Sequence, residues 1–400
     1  MKYANGVFLI ILLCTFALSA SPYKVVSETV DVNTILKLGK YETVIQVGHN
    51  PADRFTMHRV VKLDNKSHPL APCKLKGAFI LLPGGGSNFE TYLVGPDGES
   101  VATFLALNGI DVYGYSPRAR GLVTGDCDTK DCSAMKNWGI ETYVNDIEYI
   151  RKTATQLHHK LPVVGGLSLG AILSVAAINE KPNAYAGAVL WEGALYYDSP
   201  VKELFTDTCA YYKELWNSGQ YYDNQAYPFL KAAVSLYMAV PEEPSPFAEG
   251  LTNREFFLYF ITSPHNPPEG EAPGYTYAAG DMINGLYYTD ETLLLQFAMQ
   301  MNDYEPIAIF RDYMCGLAGE RTFTNRLQKY KGPIFSMQAG MGFGSYAEFN
   351  LALFGSMDIT RYIQPGFGHA DFGTPKNYTE IIDEPILQWL EAKIFPLWKK

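Results

Sequence analysis

The chain has 400 residues, of which 47% are hydrophobic and 18% are charged, a composition typical of a globular protein. Its formal net charge of −10 at pH 7 argues against nucleic acid, and against an anionic membrane surface, as a binding partner. The length allows one large domain or two small ones, and the sequence contains no internal repeat.

The first 20 residues have the features of an export signal. Lys2 supplies a positive charge, residues 7–13 form an apolar run, and Ala17-Leu18-Ser19 fits a small-x-small cleavage site. The apolar run is too short to span a bilayer, and no other stretch of the sequence reaches that length. We therefore expect a secreted protein without a stable membrane span, with an uncleaved N-terminal anchor as the alternative.

The cysteines also indicate export to an oxidising compartment. Removal of the signal would remove Cys14 and leave five of the six cysteines, so at least one thiol is free or pairs between chains. Cys127 and Cys132 flank a short polar loop, which predicts a local disulfide in an oxidising compartment. A metal site is disfavoured because no histidine is near and the spacing fits no zinc pattern. The pairing of Cys73, Cys209 and Cys315 stays open.

The first elements along the chain are strands. Two runs that alternate apolar and polar residues, 41–47 and 55–63, predict an antiparallel hairpin at a sheet edge. A fully apolar strand at 77–82 follows and ends in Pro83-Gly84-Gly85-Gly86-Ser87, which we call the triglycine loop. Consecutive glycines at a strand end expose backbone N–H groups that can bind an anion, with a flexible connector as the alternative.

Strands then alternate with helices. Helices are predicted at 100–107, 138–155 and 171–178, and strands at 110–115, 161–165 and 186–191. This alternation is typical of a mostly parallel sheet that is covered by helices on both faces.

The pattern breaks from 194 to 332, a stretch that is aromatic, largely helical and interrupted by prolines at 241–246 and 264–268. Strands return at 333–337 and 358–363, before an amphipathic helix at 381–395. We therefore predict a sheet domain formed by residues 21–193 and 333–400, with residues 194–332, here called the insertion, as a helical lid before the penultimate strand.

One turn between a predicted strand and a predicted helix carries a catalytic pattern. Residues 166–170 read Gly-Leu-Ser-Leu-Gly, and small residues at both ends allow the strand and helix to pack closely. Ser168 would then lie exposed in a strained conformation at the tip of the turn. An ordinary glycine-rich turn is the alternative, but the flanking strand and helix favour a nucleophile.

Three motifs together resemble the α/β-hydrolase superfamily: the Gly166–Gly170 turn, the triglycine loop, and Gly366-Phe367-Gly368-His369 before the last helix. The resemblance covers roughly residues 40–193 and 333–400. It implies Ser168 as nucleophile and His369 as general base, in the chain order nucleophile, acid, histidine. It also implies an oxyanion hole formed by the backbone N–H of Leu169 and one amide of the triglycine loop, with Gly85 favoured over Gly86.

The acid departs from the commoner pattern of this superfamily. After the strand at 333–340 stand Gly342, Phe343 and Gly344, where a carboxylate is usual. Glu192, at the end of the strand that follows the nucleophile, is the favoured acid, with Glu348 and Asp358 as alternatives. We therefore predict a hydrogen bond of about 2.6–3.2 Å between Glu192 and His369.

The resemblance implies a hydrolase of carboxylic esters, an esterase or lipase that acts through a Ser168 acyl-enzyme on a small-molecule ester or lipid, with no cofactor and no metal. The aromatic residues of the insertion would favour an apolar or aromatic acyl or alcohol group. A peptidase or an acyltransferase would use the same residues, and a non-catalytic binding protein of the same fold is a further alternative. The oligomeric state stays open.

Overall fold

The structure, a computed structural model, describes residues 22–198, 201–262, 275–277 and 285–399. The predicted export signal at 1–20 and the proline-rich break at 264–268 lie outside these residues. Within them, no helix has both the length and the apolar character needed to cross a membrane.

Within the described residues, the main sheet has nine strands, and a two-stranded sheet lies within the insertion. The strands are β1 (Tyr23–Asn33), β2 (Leu38–Val47), β3 (Arg54–Lys62), β4 (Gly77–Leu82), β5 (Ile110–Ser116), β6 (Val163–Leu167), β7 (Gly187–Trp191), β8 (Tyr222–Asp223), β9 (Glu305–Pro306), β10 (Ile334–Ala339) and β11 (Ile359–Gln364).

The main sheet is mostly parallel, as predicted. Its spatial order is β1-β2-β3-β5-β4-β6-β7-β10-β11. Pairing is antiparallel from β1 to β5 and parallel from β5 through β11. The carboxyl ends of β4, β6, β7 and β10 therefore meet at one edge of the sheet, which is where a parallel α/β sheet places its ligand site.

The predicted hairpin exists as β2 and β3, but its place at the sheet edge was wrong. Strand β1 pairs with β2 along its whole length and takes the edge position. Almost all β1 side chains are exposed, including Val25 and Val30. Backbone hydrogen bonds rather than burial hold this strand, so the sequence carries no buried face that would predict it.

The helices that the structure describes lie around the main sheet and within the insertion. They are α1 (Val101–Leu107), α2 (Asp126–Thr129), α3 (Ile140–His158), α4 (Leu169–Glu180), α5 (Thr206–Asn217), α6 (Ala226–Ala239), α7 (Asn253–Ile261), α8 (Glu291–Met299), α9 (Ile307–Leu317), α10 (Ala347–Leu351), α11 (Glu384–Trp389) and α12 (Phe395–Trp398). Short π-helical stretches precede α11 and join it to α12, so the chain is helical over most of the predicted 381–395 segment.

Both faces of the parallel sheet are buried. Ala78, Ile80 and Leu82 of β4 pack with α3 and α4 in one hydrophobic cluster. Phe79 and Leu81 point to the other face and pack with α1, α11 and α12. This alternation along a fully apolar strand shows that β4 is an interior strand, and it holds the carboxyl end of β4 rigidly in place.

The described part of the insertion contains helices α5 to α9. Helices α6, α7 and α8 share a separate small core that includes Val234, Phe257 and Leu295. The Cys209 and Cys315 sulfur atoms, on α5 and α9, lie 2.00 Å apart, at disulfide distance. The role of the insertion as a lid stays a prediction.

A second cysteine pair also lies at disulfide distance. The sulfur atoms of Cys127 and Cys132 are 2.02 Å apart, in agreement with the spacing argument. Cys73 is exposed and carries a free thiol, which accounts for the odd number of cysteines after the predicted signal.

Candidate active site

Ser168 lies at the tip of the turn between β6 and α4. Its backbone angles are φ 58° and ψ −118°, a conformation that non-glycine residues rarely adopt. A Cβ atom on Gly166 would lie 2.0 Å from the backbone oxygen of Leu82, and one on Gly170 would lie 1.9 Å from it. Only glycine fits at these two positions, because β4 passes directly beside the turn.

The Tyr92 hydroxyl forms hydrogen bonds with the ends of two strands, β4 and β6, next to this turn. The hydroxyl donates to the backbone oxygen of Leu82 at 2.6 Å and accepts from the backbone N–H of Leu167 at 2.8 Å. The backbone N–H of Ser168 donates to the oxygen of Trp191 at 2.8 Å. The ends of β4, β6 and β7 are thus joined around Ser168, which fixes the place of its side chain.

His369 reaches Ser168 from the loop after β11. Its Nε2 lies 2.9 Å from the Ser168 hydroxyl oxygen, and its Nδ1 lies 2.9 Å from Glu192 Oε2. The rings of Phe343 and Tyr275 stand edge-on to the imidazole, with centroids 4.8 and 5.3 Å away. These contacts hold the imidazole in the orientation that joins the hydroxyl to the carboxylate.

Glu192 follows β7 directly and is only 1% exposed. Its Oε1 accepts from the backbone N–H of Ala339 at 2.8 Å, and its Oε2 accepts from that of Phe343 at 2.9 Å. A Cβ on Gly342 would come within 2.5 Å of Glu192 Oε2. The loop that lacks the usual carboxylate thus provides space and amide donors for a carboxylate from the neighbouring strand.

The two alternative acids lie elsewhere. Glu348 forms an exposed ion pair with Arg361 at 2.7 Å, which lowers the pKa of that carboxyl group. Asp358 forms an exposed ion pair with Lys393 at 2.8 Å. The structure therefore brings Glu192 to His369 and pairs each of the other two carboxylates with a surface cation.

The triglycine loop forms a tight turn beside Ser168. The oxygen of Gly84 accepts from the backbone N–H of Ser87 at 3.2 Å and from its hydroxyl at 3.0 Å. Gly86 has a φ of +65°, which favours glycine. Because C=O and N–H point in opposite directions across a trans peptide, the N–H of Gly85 is directed away from the turn. Gly85 also lines the cavity that contains Ser168.

Comparison with solved structures identifies the fold. The structure matches that of a candidate lipase from Sulfolobus solfataricus with a TM-score of 0.61, over 89% of this chain and 95% of that chain, at 16% identity. This chain has the α/β-hydrolase fold. An esterase from Thermogutta terrifontis and a proline iminopeptidase from Mycobacterium smegmatis each match at 13% identity with a TM-score of 0.48. They cover 88% and 85% of this chain, and 98% and 95% of their own chains.

Comparisons of the sequence itself gave no match. No protein-family model matches the chain. No curated protein matches it either.

A cavity of about 480 Å³ opens onto Ser168. Ser168, His369, Gly84 and Gly85 line one end of it. The remaining wall is largely apolar and comes mostly from α6 to α9 of the insertion, with Leu230, Phe257, Ile261, Leu294, Phe297 and Phe310 among its side chains. Such a wall suits an apolar ligand group.

Sequence reasoning missed Tyr227, which lines the same cavity. A Cβ on Gly86 would lie 1.9 Å from the Tyr227 ring, so the tyrosine packs directly on the triglycine loop. Burial raises the pKa of Tyr227 well above its ordinary value, so this hydroxyl is neutral and can act as a hydrogen-bond donor. Nothing in the local sequence marks this tyrosine among the many aromatic residues of the insertion.

Two groups of described histidine, cysteine and acidic residues bring metal-ligand atoms within 4.8 Å of one another, and neither includes His369 or Glu192. One contains Cys209 and Cys315, whose sulfur atoms pair with each other. In the other, His58 forms a hydrogen bond with Ser116 at 2.8 Å, and Arg120 forms ion pairs with both carboxylates, those of Glu42 and Glu90. Burial lowers the pKa of His58 to about 4. Both groups are satisfied by protein contacts.

Proposed function

We propose that this chain is a serine hydrolase that cleaves carboxylic esters. The observation that carries the proposal is the continuous hydrogen-bonded series from the Ser168 hydroxyl through His369 to Glu192, with 2.9 Å at each step. A serine hydroxyl is a poor nucleophile at its own pKa, and this arrangement supplies both the base and the group that orients the base.

In the proposed reaction, His369 Nε2 takes the hydroxyl proton while Ser168 Oγ attacks the ester carbonyl carbon. The tetrahedral intermediate collapses as the imidazolium gives that proton to the leaving alcohol. Water, activated by the same imidazole, then hydrolyses the Ser168 acyl-enzyme and regenerates the free hydroxyl. These reaction steps use His369 to carry the proton and need no redox or metal chemistry.

Glu192 acts on the imidazole. Its Oε2 accepts from Nδ1–H of His369, which selects the tautomer whose Nε2 is unprotonated and faces Ser168. The carboxylate also stabilises the imidazolium that forms during attack. The backbone N–H groups of Ala339 and Phe343 hold this carboxylate in place.

The proposed oxyanion hole uses the backbone N–H groups of Leu169 and Gly85. Leu169 is the first residue of α4, so its amide lies at the positive end of the helix dipole. Gly85 comes from the adjacent triglycine loop, with its N–H turned away from the Gly84 oxygen. In studied hydrolases each such donor contributes about 3 kcal/mol to the stability of the transition state.

The cavity supports an apolar acyl or alcohol group. Among its described lining residues, His369 and the tyrosines are the titratable groups, and none carries a carboxylate. The apolar wall supports an ester or lipid with an apolar group, and a peptide substrate stays the alternative. A purely binding role leaves the arrangement of Ser168, His369 and Glu192 without a purpose.

We also propose that the protein is exported. The basic and apolar start of the sequence supports this, as do the two cysteine pairs at disulfide distance.

A panel of p-nitrophenyl esters of graded acyl length tests the proposed activity. We expect hydrolysis that is faster for medium and long acyl chains than for acetate, because the cavity wall is apolar, and no activity in Ser168→Ala. Aminoacyl p-nitroanilides in the same assay test the peptidase alternative. Ester hydrolysis no faster than that of Ser168→Ala would reject the proposal.

A further inference from the structure

The triglycine loop is held by a short segment of the insertion. The backbone N–H of Asn302 donates to the oxygen of Gly86 at 2.6 Å. The side-chain amide of the same residue donates to the oxygen of Ser87 at 3.0 Å. Asn302 is only 4% exposed, so both bonds form away from competing water. One asparagine thus fixes two consecutive carbonyl groups of the loop.

Further hydrogen bonds join the segment around Asn302 to Asn88, the residue that follows the triglycine loop. The side-chain amide of Asn88 donates to Asn302 Oδ1 at 3.1 Å and to the oxygen of Gln300 at 2.7 Å. Glu305, which is 2% exposed, also lies beside this loop, since the Gly86 backbone N–H acts to lower the pKa of its carboxyl group. The segment from Gln300 to Glu305 therefore contacts the loop and the residue that follows it through both donors and acceptors.

These contacts bear on the direction of the Gly85 N–H. Three consecutive glycines have more accessible backbone conformations than any other tripeptide, so the loop alone would not keep one peptide orientation. The turn that fixes the orientation of the Gly84–Gly85 peptide, and with it the direction of the Gly85 N–H, has Gly86 at φ +65° and the Ser87 hydroxyl bonded to the Gly84 oxygen. Asn302 holds the Gly86 and Ser87 carbonyls that define this turn.

We infer that Asn302 is a positioning residue for the oxyanion hole, which holds the triglycine loop so that the Gly85 N–H is preorganised for the developing negative charge. The inference rests on the proposed function. The insertion would then do more than form part of the cavity wall, because its Asn302 also holds the triglycine loop of the sheet domain. An oxyanion donor stabilises the transition state fully only when it is oriented beforehand.

The test compares Asn302→Ala with Asn253→Ala in the full chain. Asn253 is a matched control, because it is also a buried asparagine of the insertion and donates to a backbone oxygen, that of Val240, at 2.9 Å. Each variant is assayed for kcat and KM on the best p-nitrophenyl ester. Each is also assayed for inhibition by an alkylboronic acid, whose tetrahedral adduct with serine needs the oxyanion hole, and for binding of an ether analogue of the ester, which has no carbonyl group.

We expect Asn302→Ala to lower kcat by about 10- to 100-fold, with KM nearly unchanged, and to weaken the boronic acid by a similar factor. Binding of the ether should change less than about twofold, because the apolar cavity wall is intact. Loss of a residue with only a structural role would weaken binding of the boronic acid and of the ether to the same extent. Asn253→Ala should resemble the wild type in all these measurements.

The outcomes separate the inference from the proposed function. The inference alone would be overturned if the wild type hydrolyses esters and Asn302→Ala is equally active. It would also be overturned if Asn302→Ala weakens binding of the boronic acid and of the ether to the same extent. If Asn302→Ala does not fold, Asn302→Asp replaces it, since aspartate keeps the size and the contact with Asn88 but cannot donate to Ser87. A wild type that neither hydrolyses esters nor binds the boronic acid would overturn the proposed function and this inference with it.

Discussion

Ser168 and Glu192 directly follow two neighbouring parallel strands, and both have positive φ values, 58° and 53°. Such angles are uncommon for non-glycine residues and are often found at functional sites. The Ser168 N–H bonds the oxygen of Trp191, the residue before Glu192, so the two turns support each other. Both side chains are thereby directed to the same end of the sheet, where His369 lies between them.

The first prediction concerns the acid. Glu192→Gln should lower kcat by about 10³- to 10⁴-fold, because an amide can present its NH₂ group to Nδ1 and select the wrong tautomer of His369. Glu348→Gln is the control, since the carboxylate of Glu348 pairs with exposed Arg361 and lies away from the imidazole. Steady-state kinetics on one ester compare the variants. Similar losses in both would show that Glu192 has no special role.

The second prediction concerns the space beside that carboxylate. Gly342→Ala should lower kcat by about 10- to 100-fold, because the new methyl group would lie 2.5 Å from Glu192 Oε2 and displace it from His369. Gly342 has a negative φ of −104°, so the change does not place a side chain in the left-handed region. Gly121→Ala is the control, since a Cβ there meets nothing within 4 Å. Full activity in Gly342→Ala would contradict the proposed position of the acid.

Much of this architecture follows from the sequence, for physical reasons. Buried parallel strands carry unbroken apolar runs, so β4, β5, β6 and β7 stand out in the sequence, and reactive side chains lie where such strands end. Combined with the resemblance to the α/β-hydrolase superfamily, this reasoning selected Ser168, Glu192 and His369 as neighbours, and the structure brings them within hydrogen-bond distance. Their catalytic roles stay predictions.

Other features could not be predicted, because they depend on contacts between distant loops. Tyr92 bonds Leu167 across 75 residues, and Asn302 bonds Ser87 across 215. Neither residue belongs to a local motif, and tyrosine and asparagine are common in loops. Strand β1 was missed for a different reason: its side chains are exposed, so no burial pattern marks it.

The third prediction is a pH dependence of stability. Burial raises the pKa of Glu305 to about 8 from an ordinary value of 4.5. The folded state therefore binds this proton more tightly than the unfolded state, so its contribution to stability is complete below about pH 4.5 and is lost as pH rises towards 8. Glu305→Gln should remove this loss and be more stable than the wild type at pH 8 by an amount on the order of a few kcal/mol.

Urea unfolding at several pH values measures this difference. The advantage of Glu305→Gln over the wild type should grow from pH 5 to pH 8 and then level off. Glu249→Gln is the control, since Glu249 is exposed and its replacement should give a difference that does not grow with pH. A constant difference between Glu305→Gln and the wild type would show that this carboxyl group does not titrate as described.

The fourth prediction concerns the two cysteine pairs. The ring closed by Cys209 and Cys315 spans 106 residues, whereas Cys127 and Cys132 are separated by 5. Loop entropy predicts a loss of about 4–5 kcal/mol for the double serine variant of the first pair and about 2 kcal/mol for that of the second. Denaturant unfolding measures both losses. Peptide mapping without reduction should find alkylation at Cys73 only, and alkylation at Cys209 or Cys315 would contradict their pairing.

The most direct test of the proposed function is labelling with a fluorophosphonate, followed by mass spectrometry of the digested protein. The reagent forms a stable adduct with a serine only where a base and an oxyanion hole activate the hydroxyl. We predict one adduct per chain, on Ser168, formed slowly in Glu192→Gln and absent from Ser168→Ala, which should also have lost ester hydrolysis. An unlabelled wild type, an adduct on another serine, or ester hydrolysis that survives in Ser168→Ala would contradict the assignment of Ser168 as the nucleophile.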